Sequence, residues 1–81
     1  MTAIGNATLL LPRFGEEFIV QTNFSYQGIG AVLSEKVDGR ELPVMFASRC
    51  LIPAEMNYSP TEGEALAVLF ALKRFEHLLK G

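Results

Sequence analysis

Residues 20–33 read Val20-Gln21-Thr22-Asn23-Phe24-Ser25-Tyr26-Gln27-Gly28-Ile29-Gly30-Ala31-Val32-Leu33. The residues that lead into it, Phe18-Ile19-Val20-Gln21-Thr22, are mostly β-branched or aromatic, and a second run begins at Gly28 and continues to Lys36. This pattern predicts one strand over residues 18–22 and a second over residues 28–36. Gly28 and Gly30 lie inside the second run, where they favour a bulge or a close backbone approach rather than a nucleotide-binding loop.

The residues that follow predict a hairpin turn and a third strand. The segment from Val37 to Arg40 contains Asp-Gly, which supplies the positive φ angles of a two-residue loop. Residues 42–47 form the third predicted strand, and Pro43 near its start indicates an edge position or a strand entrance, because proline cannot donate to a ladder. Residues 49–58 are then a connection of mixed polarity, with one helical turn expected at residues 53–56.

A long helix is predicted after this connection. Ser59 is a suitable N-cap, Pro60 suits the first helical position, and Glu62 completes a capping box. The helical pattern runs to about Lys80 and ends at Gly81. At ~100° per residue, one broad face is expected to pack on the sheet, and it consists of Glu64, Val68, Ala71, Leu72, Phe75, Leu78 and Leu79.

The opposite helix face carries an apolar cluster among its charged residues. Leu66, Leu69 and Phe70 are expected to point away from the sheet, on the side that Lys73, His77 and Lys80 mark. A domain this small has nothing obvious to cover them. Exposed apolar clusters of this kind indicate a protein partner or a further part of the chain.

The composition is that of one small globular domain. Hydrophobic residues make up 49% of the 81 residues and charged residues 20%, which is too apolar for disorder. The net charge of −2 and the scattered basic residues give no electrostatic footprint for nucleic acid. One cysteine, Cys50, and one histidine, His77, exclude a disulfide framework and a zinc site. No secretory signal or membrane span is visible, so we expect an intracellular protein, cytoplasmic or nuclear.

The predicted architecture is α+β, with a three-stranded antiparallel sheet and one long C-terminal helix packed on it. Residues 1–15 precede the sheet. The short apolar run Leu9-Leu10-Leu11, which Pro12 ends, predicts an extended N-terminal arm that lies on the domain. We expect residues 1–81 to form a single domain.

Several short groups of residues recur here in a family-specific order and spacing. They are Ile29-Gly30-Ala31-Val32-Leu33, Ser48-Arg49, Glu55-Met56-Asn57-Tyr58-Ser59 and Glu64-Ala65-Leu66-Ala67. In this combination the chain resembles the ribonuclease H-like domain of gypsy-type retrotransposon and retroviral polyproteins, which belongs to the reverse transcriptase region. The resemblance extends from about residue 11 to residue 81.

The resemblance implies a metal-dependent reaction in the intact parent protein. That reaction is hydrolysis of the RNA strand of an RNA–DNA hybrid, with magnesium held by several carboxylates. Asn23 occupies the position of the family's first-strand Asp, and Glu64 occupies the position of its helix Glu. An amide adds no negative charge, so Glu64 is expected to be a vestigial, weak metal ligand and this chain to be inactive and without a cofactor.

Both residues also have a purely structural interpretation. For Asn23 we favour a strand-end amide that makes local backbone hydrogen bonds. Glu64 could be a half-buried acid that interacts with the helix N-terminus, although the surrounding motif favours descent from a metal ligand.

Four further residues match family positions near the substrate groove. They are Ser25, Ser48, Arg49 and Tyr58. Arg49 could contact a phosphate, and a solvated Arg49 is an equal alternative. Tyr58 could stack on a base, but capping of the core beneath the connection is the favoured interpretation.

Two hypotheses follow for the present role of the chain. In the first, it is the N-terminal half of a ribonuclease H-like domain, truncated relative to the family, whose partner is the rest of a larger polyprotein. Its first strand would then have an open edge that favours pairing with a second copy as a homodimer. In the second, it is a domesticated pseudoenzyme that binds a protein partner through Leu66, Leu69 and Phe70 and through that edge.

Overall fold

A computed structural model describes residues 3–13 and 16–79 of the chain. Four strands are followed by a short 3₁₀ helix and one long α-helix. The strands are β1 (Ala3–Arg13), β2 (Glu16–Ser25), β3 (Gly28–Val37) and β4 (Arg40–Cys50). The 3₁₀ helix is Pro53–Asn57 and the α-helix, α1, is Pro60–Leu79. No described helix combines the length and the apolar character that crossing a membrane requires.

The strands form one antiparallel sheet in the order β1-β2-β3-β4. The predicted α+β class is confirmed, and so are the three strands predicted at residues 18–22, 28–36 and 42–47, each of which is longer in the structure. The predicted turn between β3 and β4 is also confirmed, because Asp38 and Gly39 have φ angles of 50° and 79°. Pro43 lies in β4, which is an edge strand of the described sheet, one of the two positions expected for this proline.

The N-terminal segment differs from its prediction. It is not an arm on the domain but a fourth strand, β1, which pairs with β2 from Ala3 opposite Ser25 to Arg13 opposite Glu16. Side chains alternate between the two faces of a strand, so the leucines near residue 10 do not act as one buried run. Leu9 and Leu11 pack on the core, whereas Leu10 is 67% exposed.

The position of β1 also corrects the expected open edge. β1 covers the free side of β2, so an open edge at β2 was a wrong prediction. In the described part of the chain, the outer edges of the sheet belong to β1 and β4. Formation of a homodimer stays a prediction.

Helix α1 packs on one face of the sheet, which we call the inner face, and the opposite face is the outer face. Two groups of buried apolar side chains form the core between α1 and the inner face. The larger group consists of Val20, Ala31, Leu33, Ala47, Ala71 and Phe75. The smaller group lies nearer the start of α1 and consists of Phe24, Ile29, Leu51 and Ala67.

The start of α1 has the predicted capping box. The backbone N–H of Glu62 donates to the hydroxyl of Ser59 at 3.2 Å. In return the backbone N–H of Ser59 donates to the carboxylate of Glu62 at 2.9 Å. This backbone donor is the main reason that the pKa of Glu62 is lowered. Lys80 and Gly81, where the helix was expected to end, lie outside the described residues.

The helix is rotated relative to the predicted face. Its most buried positions are Gly63, Ala67, Ala71 and Phe75, of which only the last two were expected against the sheet. Glu64, Val68 and Leu72 are half-buried at one flank, and Leu78 is 37% exposed. Small residues at positions 63 and 67 let α1 approach the sheet closely, and a pattern weighted towards large apolar residues misses them. Nothing is described of the side chain of Leu79.

The predicted exposed cluster on α1 is correct for one of its three members. Leu69 is 66% exposed. Leu66 and Phe70, however, are half-buried and pack against the smaller core group, so their expected full exposure was wrong. The rotation of α1 brings this flank towards the sheet.

Candidate functional site

Asn23 lies on β2 with its side chain on the outer face of the sheet. Its neighbours Thr22 and Phe24 are buried, and Phe24 packs with Ala67 of α1. Because successive strand residues point to opposite faces, the amide points away from α1. Its side-chain oxygen lies 2.9 Å from the point where a Cβ on Gly30 would stand, so it rests on the neighbouring strand at the level of Gly30.

Glu64 lies in the helix layer, one residue after the buried Gly63, and is half-buried. The structure therefore places it on the opposite side of the sheet from the amide of Asn23. Asn23 lines shallow depressions of the outer face together with Phe46 and Ser48. The two residues that the resemblance assigns to one metal site thus belong to different layers of the fold.

The donors that this chain supplies do not fit a magnesium ion. Magnesium requires hard oxygen ligands in near-octahedral geometry and is usually bound through one or two carboxylates. Asn23 offers a neutral amide oxygen on the outer face, and Glu64 offers a carboxylate in the helix layer. Within residues 3–13 and 16–79, no three His, Cys, Asp or Glu side chains gather closely enough to hold a metal ion.

The predicted substrate-binding residues are spread over three places. Ser25 is buried, and its hydroxyl accepts hydrogen bonds from the backbone N–H groups of Gln27 and Gly28, each at 3.3 Å. Ser48 is exposed on the outer face of β4, and Tyr58 is 39% exposed at the end of the 3₁₀ helix. Ser25 therefore supports the turn between β2 and β3, while Ser48 and Tyr58 are accessible.

Arg49, the fourth predicted residue, is held by Glu55 in a two-pronged ion pair. Its Nη1 and Nη2 atoms lie 2.7 Å and 2.8 Å from the two carboxylate oxygens. Nη1 also donates to the backbone oxygen of Cys50 at 3.1 Å. The Glu55 side chain is only 8% exposed, and it also accepts the backbone N–H of Ile52 at 3.0 Å. The pair therefore ties β4 to the 3₁₀ helix.

Each side chain of the Arg49–Glu55 pair stabilises the charged form of the other. The hydrogen bonds from Arg49, assisted by the N–H of Ile52, lower the pKa of Glu55 to about 2. The same hydrogen bonds raise the pKa of Arg49 above its usual value, against the effect of burial. Glu55 belongs to the motif Glu55-Met56-Asn57-Tyr58-Ser59, from which no role for its carboxylate was predicted. The signal that could have indicated the pair is an acidic residue six positions after Arg49. This spacing fits neither a strand nor a helix period, because the two residues lie on different elements.

The lowered pKa of Glu55 predicts a loss of stability in acid. A carboxyl with a lower pKa in the folded state stabilises the fold fully above its unfolded pKa, and this contribution is lost as the pH falls. The free energy of unfolding should therefore fall from about pH 4.5 towards pH 2. Urea unfolding followed by circular dichroism at several pH values measures this. We expect Glu55→Gln to be less stable at pH 7 and to show a flatter acid limb.

Two features keep this test specific. The lowered pKa of Glu62 acts in the same direction, so Glu55→Gln should flatten the acid limb in part rather than abolish it. Glu76→Gln is the matched control, because Glu76 is exposed and, among the described residues, makes no ion pair. An acid limb that is unchanged in Glu55→Gln would contradict the assigned role of the ion pair.

Beside the ion pair lies a surface groove of about 680 Å³. We call it the Phe70 groove. It runs between α1 and the end of β4 and is lined by Arg49, Leu66, Leu69, Phe70, Lys73, Arg74 and His77. The guanidinium groups of Arg49 and Arg74 lie 5.7 Å and 5.2 Å from the centre of the Phe70 ring, within the range of a cation–π contact.

The Phe70 groove contains residues that belong to two separate predictions from the sequence. Arg49 was a candidate substrate contact on a strand, and the three apolar residues were a candidate partner surface on the helix. The scattered basic residues gave no sign of a local concentration. Three of the seven Lys and Arg residues nevertheless meet here. The helix period brings Lys73 and Arg74 beside Phe70, and the end of β4 brings Arg49 over the same ring.

Comparison with known proteins identifies the family. Residues 2–81 match the model of the RNase H-like domain found in reverse transcriptase. The chain is 42% identical over 77 residues to the Retrovirus-related Pol polyprotein from transposon 412 of Drosophila melanogaster, with 94% of the chain and 6% of the relative covered. It is 42% identical over 78 residues to the corresponding polyprotein from transposon 297 of the same organism, which covers 96% of the chain and 7% of the relative.

A third relative extends the same result to a further element. The Retrovirus-related Pol polyprotein from transposon gypsy of Drosophila melanogaster is 41% identical over 73 residues, covering 90% of the chain and 7% of the relative. The chain thus spans only 6% to 7% of the length of these curated relatives. No solved structure gives a significant match. The family match and the α+β architecture agree, and the chain belongs to the RNase H-like domain family found in reverse transcriptase.

Proposed function

We propose that this chain is a non-catalytic scaffold of a retroelement-derived reverse transcriptase polyprotein. The family match and the identity to transposon polyproteins support this origin. One observation carries the proposed inactivity. The position of the family's first-strand carboxylate holds Asn23, whose neutral amide points away from the helix layer that contains Glu64. In the intact parent polyprotein, the activity would be cleavage of the RNA strand in RNA–DNA hybrids.

The missing charge matters more than the missing contact. An amide oxygen can touch a cation, but it cannot offset the cost of removing water from a doubly charged ion. Glu64 alone leaves most of that charge unbalanced. Metal ions in nucleases activate water and stabilise the leaving oxygen, and residues 3–13 and 16–79 supply no group of carboxylates to position one. The remaining roles of these residues are structural: Asn23 rests on β3, and Glu64 flanks the start of α1.

We expect the chain to leave a fluorescently labelled RNA–DNA hybrid uncut in magnesium or manganese buffer. Asn23→Asp should leave it uncut as well, because a carboxylate on the outer face gains no carboxylate partner there. Denaturing gels that resolve the labelled RNA strand measure the result. A complete ribonuclease H in the same buffers confirms that the substrate can be cleaved.

Two variants make the outcome interpretable. Cleavage that is equally present in Asn23→Ala and Glu64→Gln would come from a contaminating nuclease. Metal-dependent cleavage by the unmodified chain that Glu64→Gln removes would overturn the proposal. Cleavage gained by Asn23→Asp and lost again in Asn23→Asp with Glu64→Gln would show that the two positions form one site.

A specific observation favours a second candidate function, that of a domesticated protein-interaction module. Leu69 is 66% exposed in a groove that also contains the half-buried side chains of Leu66 and Phe70. An apolar side chain with this exposure on a packed helix is available to a partner. The partner would be the rest of a polyprotein, a second copy of the chain or another protein. An intracellular location fits each of these and stays a prediction.

A further inference from the structure

The charge of the Phe70 groove is opposite to that of the whole chain. The chain has a net charge of −2. The groove, however, is lined by Arg49, Lys73 and Arg74, and no acidic residue is among its lining residues. Its apolar lining consists of Leu66, Leu69 and Phe70. The groove therefore combines two features that a ligand could match.

Two of the three cations are free to act on a ligand. Arg49 is already neutralised by its two-pronged pair with Glu55. Lys73 and Arg74 are exposed and make no ion pair with another described residue. They follow one another on the last turns of α1 and lie beside the exposed Leu69. An anionic ligand would thus meet two uncompensated positive charges next to an apolar contact.

The ring of Phe70 indicates which class of anionic ligand fits. Single-stranded nucleic acid is held by bases that stack on aromatic faces. Here guanidinium groups approach the ring at 5.7 Å and 5.2 Å from its centre, and the ring is half-buried against the core. Little of the ring remains for a base. The accessible apolar surface comes from leucine side chains, which suit an aliphatic side chain of a peptide.

We propose that the Phe70 groove binds an acidic peptide segment of a partner protein. An aliphatic side chain of the peptide packs on Leu66 and Leu69, and its carboxylates face Lys73 and Arg74. The inference rests on the second candidate function and gives that partner its chemistry. Complementary charge of this kind steers association and selects partners, while the apolar contact supplies most of the affinity.

The experiment selects peptides without assuming their sequence. A library of short random peptides is displayed on phage and selected on the immobilised 81-residue chain. The enriched sequences are synthesised with a fluorescent label, and their affinities are measured by fluorescence anisotropy. We expect enrichment of peptides that contain several Asp or Glu residues together with Leu or Ile.

Charge reversal in the groove should weaken this binding by at least about tenfold, because each lost attraction is replaced by a repulsion. The variant is Lys73→Glu with Arg74→Glu. The matched control is Lys36→Glu with Arg40→Glu, which makes the same change in net charge at the β3–β4 hairpin. The control should bind like the unmodified chain, since its only described ion pair, Lys36 with Glu17, is exposed and 3.9 Å long. Leu69→Ser should weaken binding without changing its salt dependence.

The possible outcomes separate the inference from the function on which it rests. Enriched peptides that bind equally well to the Lys73→Glu, Arg74→Glu variant would overturn the proposed groove but keep an interaction module. Absence of any enriched peptide would overturn both. A labelled oligothymidylate that competes as strongly as the acidic peptides would assign the groove to nucleic acid and overturn the peptide assignment. Circular dichroism of each variant confirms that it is folded.

Discussion

Replacing Phe75 with alanine is expected to lower the free energy of unfolding by about 3–5 kcal/mol. Phe75 is 0% exposed and is among the largest fully buried side chains. It lies in the larger core group with Val20 and Leu33, between α1 and the inner face of the sheet. The loss combines the transfer free energy of the ring with the cost of the cavity left between two layers that cannot fully close.

That loss is large relative to the whole fold. At roughly 0.05–0.15 kcal/mol per residue, a domain of this length has a free energy of unfolding of roughly 4–12 kcal/mol. Phe75→Ala should therefore remove a large part of the free energy of unfolding, and at the lower end of this range it would leave the chain largely unfolded. Urea unfolding and thermal melting measure the loss. Leu78→Ala is the matched control on the same helix. Leu78 is 37% exposed, so its loss should be about 1 kcal/mol.

The sequence was sufficient for the elements that depend on local chemistry. The Asp38-Gly39 turn and the capping box of Ser59 and Glu62 rest on residues within four positions of each other, and both are confirmed. The fourth strand was missed for the opposite reason. Residues 3–13 have no strong strand pattern, and their conformation is determined by pairing with β2. That pairing contributes backbone hydrogen bonds whichever side chains are present.

In the candidate site, too, some features follow from local sequence and others only from tertiary packing. The motif spacing identified the family, and it located Asn23 and Glu64 on a strand and a helix. It could not show on which face of the sheet each would lie, because that depends on how α1 is rotated against the inner face. The Arg49–Glu55 pair and the convergence of Lys73 and Arg74 on Phe70 arise only from tertiary packing. A periodicity that assigns weight to large apolar residues cannot find a helix face that begins with glycine.

Gly63 explains that rotation and gives it a direct test. In an exposed helix position, alanine is favoured over glycine by about 1 kcal/mol. At position 63, however, an added Cβ would lie 2.1–2.4 Å from three atoms of the Phe24 ring. Real Cβ atoms do not come this close to other heavy atoms. Phe24 is only 2% exposed and is enclosed by the smaller core group, so the ring has little room to move aside.

We therefore expect Gly63→Ala to destabilise the fold by about 1–3 kcal/mol, although the same change helps an ordinary helix. Urea unfolding measures the sign, and Ala65→Gly is the control. Ala65 lies two residues after Gly63 on an exposed side of α1. Its replacement by glycine should therefore cost about 1 kcal/mol through helix propensity alone. Phe24→Leu should reduce the penalty of Gly63→Ala in a double-mutant cycle, because the smaller side chain leaves space for the methyl group.

A Gly63→Ala variant that is more stable than the unmodified chain would mean that α1 does not rest on Phe24. The rotation that separates Glu64 from the amide of Asn23 would then lose its support.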